Sequence, residues 1–253
     1  MPLRNLLLAG TLLMWLAACA GNGGERKSGD GQRSLSSQGR NSLGLAQGHL
    51  DKGEIDQALA RANAARATDP ESAYVHATFA MIHARQGDTA KAGREFDRAV
   101  RAAPADGAIL NAHASWLCEA GRREEADKQF VLALRDTRYA TPFQALANAG
   151  KCALKAGNWS KAEVYLRKAV VLAPQDAQVL HGLALASLRL GKLMEARAFI
   201  ERRDALGSDA QALELAARIE DAANDDHAEE RYRQRLRNEC PDYVPTGEGA
   251  GTQ

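Results

Sequence analysis

Six histidines and four cysteines are the residues of this 253-residue chain best suited to ligate a metal or to act as nucleophile or base. A zinc site on a helix needs two ligands one turn apart, as in H-E-x-x-H, or cysteines in close pairs. His49, His76, His83, His113, His181 and His227 follow neither pattern, and Cys19, Cys118, Cys152 and Cys240 stand far apart. No G-x-S-x-G, Walker-type loop or G-x-G-x-x-G occurs. The acid pairs Glu124-Glu125 and Asp225-Asp226 read most simply as solvated faces or helix starts. No catalytic residue, metal, cofactor or small-molecule substrate is therefore expected. With 33 Lys+Arg against 32 Asp+Glu the net charge is +1, which leaves no electrostatic footprint for nucleic acid. Hydrophobic residues at 45% and charged ones at 26% describe an ordinary globular chain, short of aromatics at 5%.

Cys19 has a chemistry of a different kind. Arg4 precedes an apolar run from Leu6 to Leu16, broken by Gly10 and Thr11. As a helix that run rises about 16 Å, half a bilayer core, so residues 1–18 read as a signal peptide and not a membrane span. The run ends in Leu16-Ala17-Ala18-Cys19, which resembles the lipobox of bacterial lipoproteins, although Ala18-Cys19-Ala20 also satisfies an ordinary A-x-A cleavage rule. The lipobox resemblance implies acylation of Cys19, which then becomes the new N-terminus. At about 0.8 kcal/mol per buried CH₂, several acyl chains would make the anchor effectively permanent. Ala20, where aspartate would retain many such proteins in the inner membrane, implies the periplasmic face of the outer membrane. Residues 19–38, rich in Gly, Ser, Gln and charge, are expected to be a flexible tether.

The remaining cysteines and histidines are placed by a repeat. Gly53, Ala58, Ala65 and Pro70 return 34 residues later as Gly87, Ala92, Ala99 and Pro104. Gly121, Ala126 and Ala133 follow, with Arg138 in place of proline; after a two-residue insertion near Thr141-Pro142 come Gly157, Ala162, Ala169 and Pro174, then Gly191 and Ala196. Glycine at repeat position 15 permits a positive-φ turn between two helices. Alanines at positions 8, 20 and 27 let those helices approach closely, while Phe96, Phe130, Leu166 and Ile200 at position 24 fill the space between units. Proline at position 32 ends the second helix.

This pattern resembles the tetratricopeptide repeat, which implies an all-α, right-handed superhelical solenoid of about six helix pairs. Repeats are expected near 39–72, 73–106, 107–142, 143–176, 177–209 and 210–243, followed by a disordered tail at 244–253. The sixth copy is worn: Asn224 replaces the turn glycine, and Ala228, Tyr232 and Leu236 run one position out of phase. It should cap the array with a mostly charged outer face. His49, His76, His83 and His113 fall at positions with packing explanations.

First-helix positions 2, 5, 9 and 12 of such an array face its concave groove. Leu43, Leu50, Tyr74, Ala77 and Met81, with Gln47 and Arg40 beside them, form an apolar strip in the first two repeats. Either they hold a partner segment or they pack against neighbouring helices. Later repeats offer a more polar groove through Asn111, Ser115, Gln144, Lys151, Gln178 and His181. Cys118 and Cys152 lie on the first helices of repeats three and four, which stack side by side. A disulfide between them is geometrically plausible, the alternative being two small buried thiols. Cys240 should pack as a small apolar residue beside Pro241.

Three stretches are more specific. Trp116-Leu117-Cys118-Glu119-Ala120-Gly121, Tyr139-Ala140-Thr141-Pro142 and Asn148-Ala149-Gly150-Lys151-Cys152-Ala153-Leu154-Lys155-Ala156-Gly157, together with the lipobox and the terminal Arg237-Asn238-Glu239-Cys240-Pro241, resemble the PilF/PilW family of type IV pilus biogenesis lipoproteins. That resemblance implies a pilotin, an outer-membrane lipoprotein that helps a PilQ-like pilus secretin reach the membrane and multimerise, although some members of the family act more on pilus stability than on secretin assembly. The alternative is a general periplasmic adaptor of the same fold that organises envelope enzymes.

Overall fold

The computed structural model describes residues 35–244, and every helix or strand among them is a helix. The expected signal peptide, the expected acylation site Cys19, most of the expected tether and residues 245–253 lie outside the described residues. Twelve helices form six hairpins: α1 (Ser37–Asp51) with α2 (Ile55–Thr68), α3 (Ala73–Arg85) with α4 (Thr89–Ala102), α5 (Gly107–Glu119) with α6 (Arg123–Ala133), α7 (Pro142–Lys155) with α8 (Trp159–Leu172), α9 (Ala177–Arg189) with α10 (Leu193–Asp204), and α11 (Ala210–Ala222) with α12 (Asp226–Glu239). Each first helix also touches the first helix of the next pair, so the pairs stack into a solenoid with the first helices along one wall. Among the described residues no helix is long and apolar enough to cross a membrane.

The repeat residues act as their types dictate. Gly87 and Gly121 both sit at φ +78°, in the left-handed region where a side chain would be strained. Asn224 supplies the same turn in the sixth pair at φ 55°, as asparagine can. Ala46, Ala58, Ala80, Ala92, Ala114 and Ala126 are fully buried where paired helices meet, and Phe96 and Phe130 are buried between units. Gly150 replaces position-8 alanine because an added Cβ would lie 2.5 Å from Cγ of Leu166.

Three places depart from the simple repeat. The body begins earlier than position 39: α1 starts at Ser37, Ser36 Oγ accepts from the Gly39 N–H at 2.9 Å, and Leu35 is buried beside Leu43. Ser36 also ties this end to α2, since its N–H and hydroxyl donate to the Asp69 carboxylate at 3.0 and 2.6 Å.

In the third pair α6 has 11 residues, against 14 in α2, α4 and α8. The longer connection after it folds back on α5. The Asp136 carboxylate accepts from the N–H groups of Gly107 and Arg138, both at 3.0 Å, and these bonds hold its pKa below the usual aspartate value. Tyr139 covers Gly107 so closely that a Cβ there would meet the tyrosine at 2.7 Å.

The worn final pair docks through Ala212, Leu215, Ala216 and Ile219 of α11, which share a core with α9 and α10, and α12 adds a polar contact, Arg235 donating to Asp204 of α10 at 2.7 and 3.2 Å. Tyr232 and Leu236 are half-buried, and Ala228 is the buried residue of α12.

Candidate functional site

The apolar strip expected to line the groove in repeats one and two is largely core. Leu43 and Leu50 are 9% and 2% exposed and pack with Ala62, Val75, Phe79 and Ile82, while Ala77 is 4% exposed between α4 and α5 residues. These three cannot receive a partner segment without opening the solenoid; their apolar character serves the contact between successive first helices. Tyr74 and Met81 are half-buried against the same core. Tyr74 donates its hydroxyl to the Asp106 carboxylate, at 2.9 Å from the nearer oxygen. Gln47 is exposed and donates to Asp51 at 2.8 Å.

An open groove lies further along. A cavity of about 800 Å³ runs across α7 and α9 to the start of α11. Phe143, Ala147 and Leu154 give it an apolar wall, and Lys151 and His181, which the sequence places at groove positions, both line it. Asn111 stands at its N-terminal approach, itself 8% exposed, where it accepts from the Asn148 amide at 3.1 Å. The groove thus joins Lys151, His181 and, through Asn148, Asn111. It leaves Leu43, Gln47, Leu50, Tyr74, Ala77 and Met81 in the other half of the molecule.

The charges lining this groove balance, Lys151 and Arg203 against Asp176 and Asp209, and they differ in how far they are engaged. Asp176 accepts from the Val179 N–H at 2.9 Å and so caps α9. Asp209 caps α11 and is paired with Arg203, whose guanidinium also donates to the Gly207 carbonyl at 2.7 Å. Both carboxylates are thereby engaged, whereas exposed Lys151 has no ion-pair partner among the described residues. Burial pushes the His181 imidazole below the usual histidine pKa, so at neutral pH it is uncharged and can both donate and accept. Gln144, Asn148 and Gln178 add amide groups of the kind that satisfy an extended peptide backbone.

Arg203 and the apolar wall escaped the sequence reading. Arg203 occupies position 27, where the repeat calls for alanine, and is 9% exposed. That break in pattern was the available signal. Phe143, Ala147 and Leu154 occur at positions 1, 5 and 12 of repeat four, where apolar residues look no different from those that form core elsewhere.

Most of the other candidates have structural partners. Cys118 and Cys152 form a disulfide with Cα atoms 5.9 Å apart, joining α5 to α7, and both are buried. Cys240 is a free thiol at the end of α12. His49 meets Glu54 at 2.6 Å, His76 meets Glu95 at 2.7 Å, and His113 stacks on Phe96 and Trp116 with centroids 5.3 and 5.8 Å away. Among the described residues no group of three or more His, Cys, Asp or Glu is placed to hold a metal.

A family model of the tetratricopeptide repeat matches residues 43–107 and 148–210. Among curated proteins the chain is 29% identical over 130 residues to the type IV pilus assembly protein PilF of Pseudomonas aeruginosa, a stretch covering 51% of either chain. The match therefore spans about half the length of that relative. The solved structure of Pseudomonas aeruginosa PilF superposes with a TM-score of 0.71 at 24% identity, covering 81% of this chain and 93% of the other. That of PilW, described as a widely conserved type IV pilus biogenesis factor, gives 0.74 at 26% identity, covering 82% and 96%. A likeness in fold alone extends to YrrB, a repeat protein with an unusual peptide-binding site, at a TM-score of 0.60 and 17% identity over 72% of this chain and 93% of that one.

Proposed function

The chain belongs to the tetratricopeptide-repeat family, and from that premise we propose that it is a PilF-like factor for type IV pilus biogenesis. In this reading it is a non-catalytic lipoprotein, held at the periplasmic face of the outer membrane by acylated Cys19. It promotes the localisation and multimerisation of the pilus secretin through protein–protein contacts.

The observation that carries the proposal is the extent of the likeness to PilW, which takes in 96% of that solved chain at 26% identity and so runs through the whole solenoid. The curated PilF match supports it. The groove across α7, α9 and α11 is the surface we assign to the secretin. An extended segment would set an apolar side chain against Phe143, Ala147 and Leu154, place an acidic group at Lys151 and satisfy its backbone on the surrounding amides.

The test is the amount and membrane location of secretin multimers in a deletion strain, complemented with wild type or with Cys19→Ser. The proposal expects monomeric secretin in the deletion strain, rescue by wild type and failure of Cys19→Ser. Unchanged multimers in the deletion strain would remove the secretin from the proposal and favour a role in pilus stability or the envelope-adaptor alternative.

A further inference from the structure

The outer face of the solenoid, formed by the second helices, carries a second unpartnered surface. Between α6 and α8 runs a trough of about 650 Å³. Its floor and walls are Val131, Leu134 and Val164, and its rim carries Arg135, Lys161 and Lys168. Val164 is 54% exposed, and Val171 and Leu172 continue the apolar strip to the end of α8. Val164, Lys168 and Val171 share one face of α8 at helical spacing. Lys161 is satisfied by Asp127 at 3.0 Å, but Arg135 and Lys168 have no ion pair among the described residues, and no carboxylate lines the trough.

We propose that this trough docks an amphipathic helix of another protein, one whose apolar stripe is flanked by acidic side chains. Two parallel helix ridges with an apolar floor accept a third helix by the same ridge-into-groove packing that builds the solenoid. The charge selects the partner. A second copy of this chain using the same face would set Arg135 and Lys168 against like charges under two-fold symmetry. A lipid surface suits a protruding apolar ridge better than a recessed trough. Acidic flanks meet the two unpaired cations and give the complex a salt-dependent on-rate. This surface faces away from the groove assigned to the secretin, so the proposal stands apart from that assignment.

The test uses the full chain carrying Cys19→Ser and two synthetic helices of about 18 residues, five turns, with the same Leu/Val stripe. One probe is flanked by Glu and the other by Lys, and binding is read by fluorescence anisotropy. The Glu-flanked probe should bind at least about tenfold more tightly than the Lys-flanked one. Arg135→Glu with Lys168→Glu should invert that preference, and Val164→Asp should abolish binding of both. Because all three positions are exposed, the melting curves of these variants should match wild type. Equal binding of the two probes overturns the proposal, as does binding that survives Val164→Asp. So does Val164-dependent binding to phosphatidylglycerol vesicles with no binding of either peptide, which would make the trough a lipid contact.

Discussion

Reducing the Cys118–Cys152 bond should weaken the solenoid at its middle. The bridge spans 34 residues and staples α5 to α7 across the third pair, the pair with the short α6 and the longer connection. In the chain-entropy account a closed loop of that length restricts the unfolded chain by about 4 kcal/mol. For a body of this size that corresponds to a fall of roughly 10 °C in Tm. Both sulfurs are buried with Ala114, Leu117, Phe130 and Ala149, so the thiols left by reduction stay in apolar surroundings and the native packing should persist below the new midpoint. A stacked array couples only neighbouring units, and loss of the staple should also divide one transition into two. Circular dichroism melts with and without dithiothreitol read the midpoint, while Trp116, packed on the same cluster, reports the local step by fluorescence. Alkylation of the unfolded protein before reduction should label neither Cys118 nor Cys152. Full reduction with an unchanged midpoint would refute the entropic reasoning, and free thiols at both positions in protein isolated without reductant would refute the bond itself.

Other outcomes follow from single contacts. Gly150→Ala forces a Cβ against Leu166 and should lower stability by about 1–3 kcal/mol in denaturant titration, although alanine is what the repeat otherwise places there. Gly121→Ala, at φ +78°, should cost about 1 kcal/mol in the same assay, whereas Asn224→Gly should leave the midpoint unchanged or slightly raised. Burial holds the His113 and His181 imidazoles below the usual histidine value, so the unfolded chain takes up protons in a range where the folded chain does not. Stability from these sites is complete above about pH 6.5 and is lost as pH falls from there through the depressed folded values. The unfolding midpoint should fall over that range, and His113→Phe should flatten the fall.

The repeat was legible because its key residues are dictated locally: a left-handed turn needs glycine, and close helix contact needs alanine, whatever the neighbours do. The groove was less so. Leu50 and Leu154 occupy the same repeat position with the same side chain, yet Leu50 is core, covered by repeat two, and Leu154 lines a cavity. Which fate follows depends on how far successive first helices separate, a property of several helices together and not of either residue. Apolar character therefore pointed to the N-terminal half, where the core claims it. The polar residues Lys151 and His181 marked the open part. The pairing of Cys118 and Cys152 stood open for a similar reason, since spacing places both cysteines on stacked helices without deciding whether their sulfurs meet. Arg203 and Asp136 bind backbone groups of irregular connections that no periodicity describes.

The most direct test of the central claim is site-specific photo-crosslinking in cells from two exposed positions of the full chain, Lys151 in the groove and Lys168 on the outer face. The account predicts a secretin adduct from position 151 and none from position 168. Absence of a secretin adduct at 151, or a secretin adduct confined to 168, would contradict it.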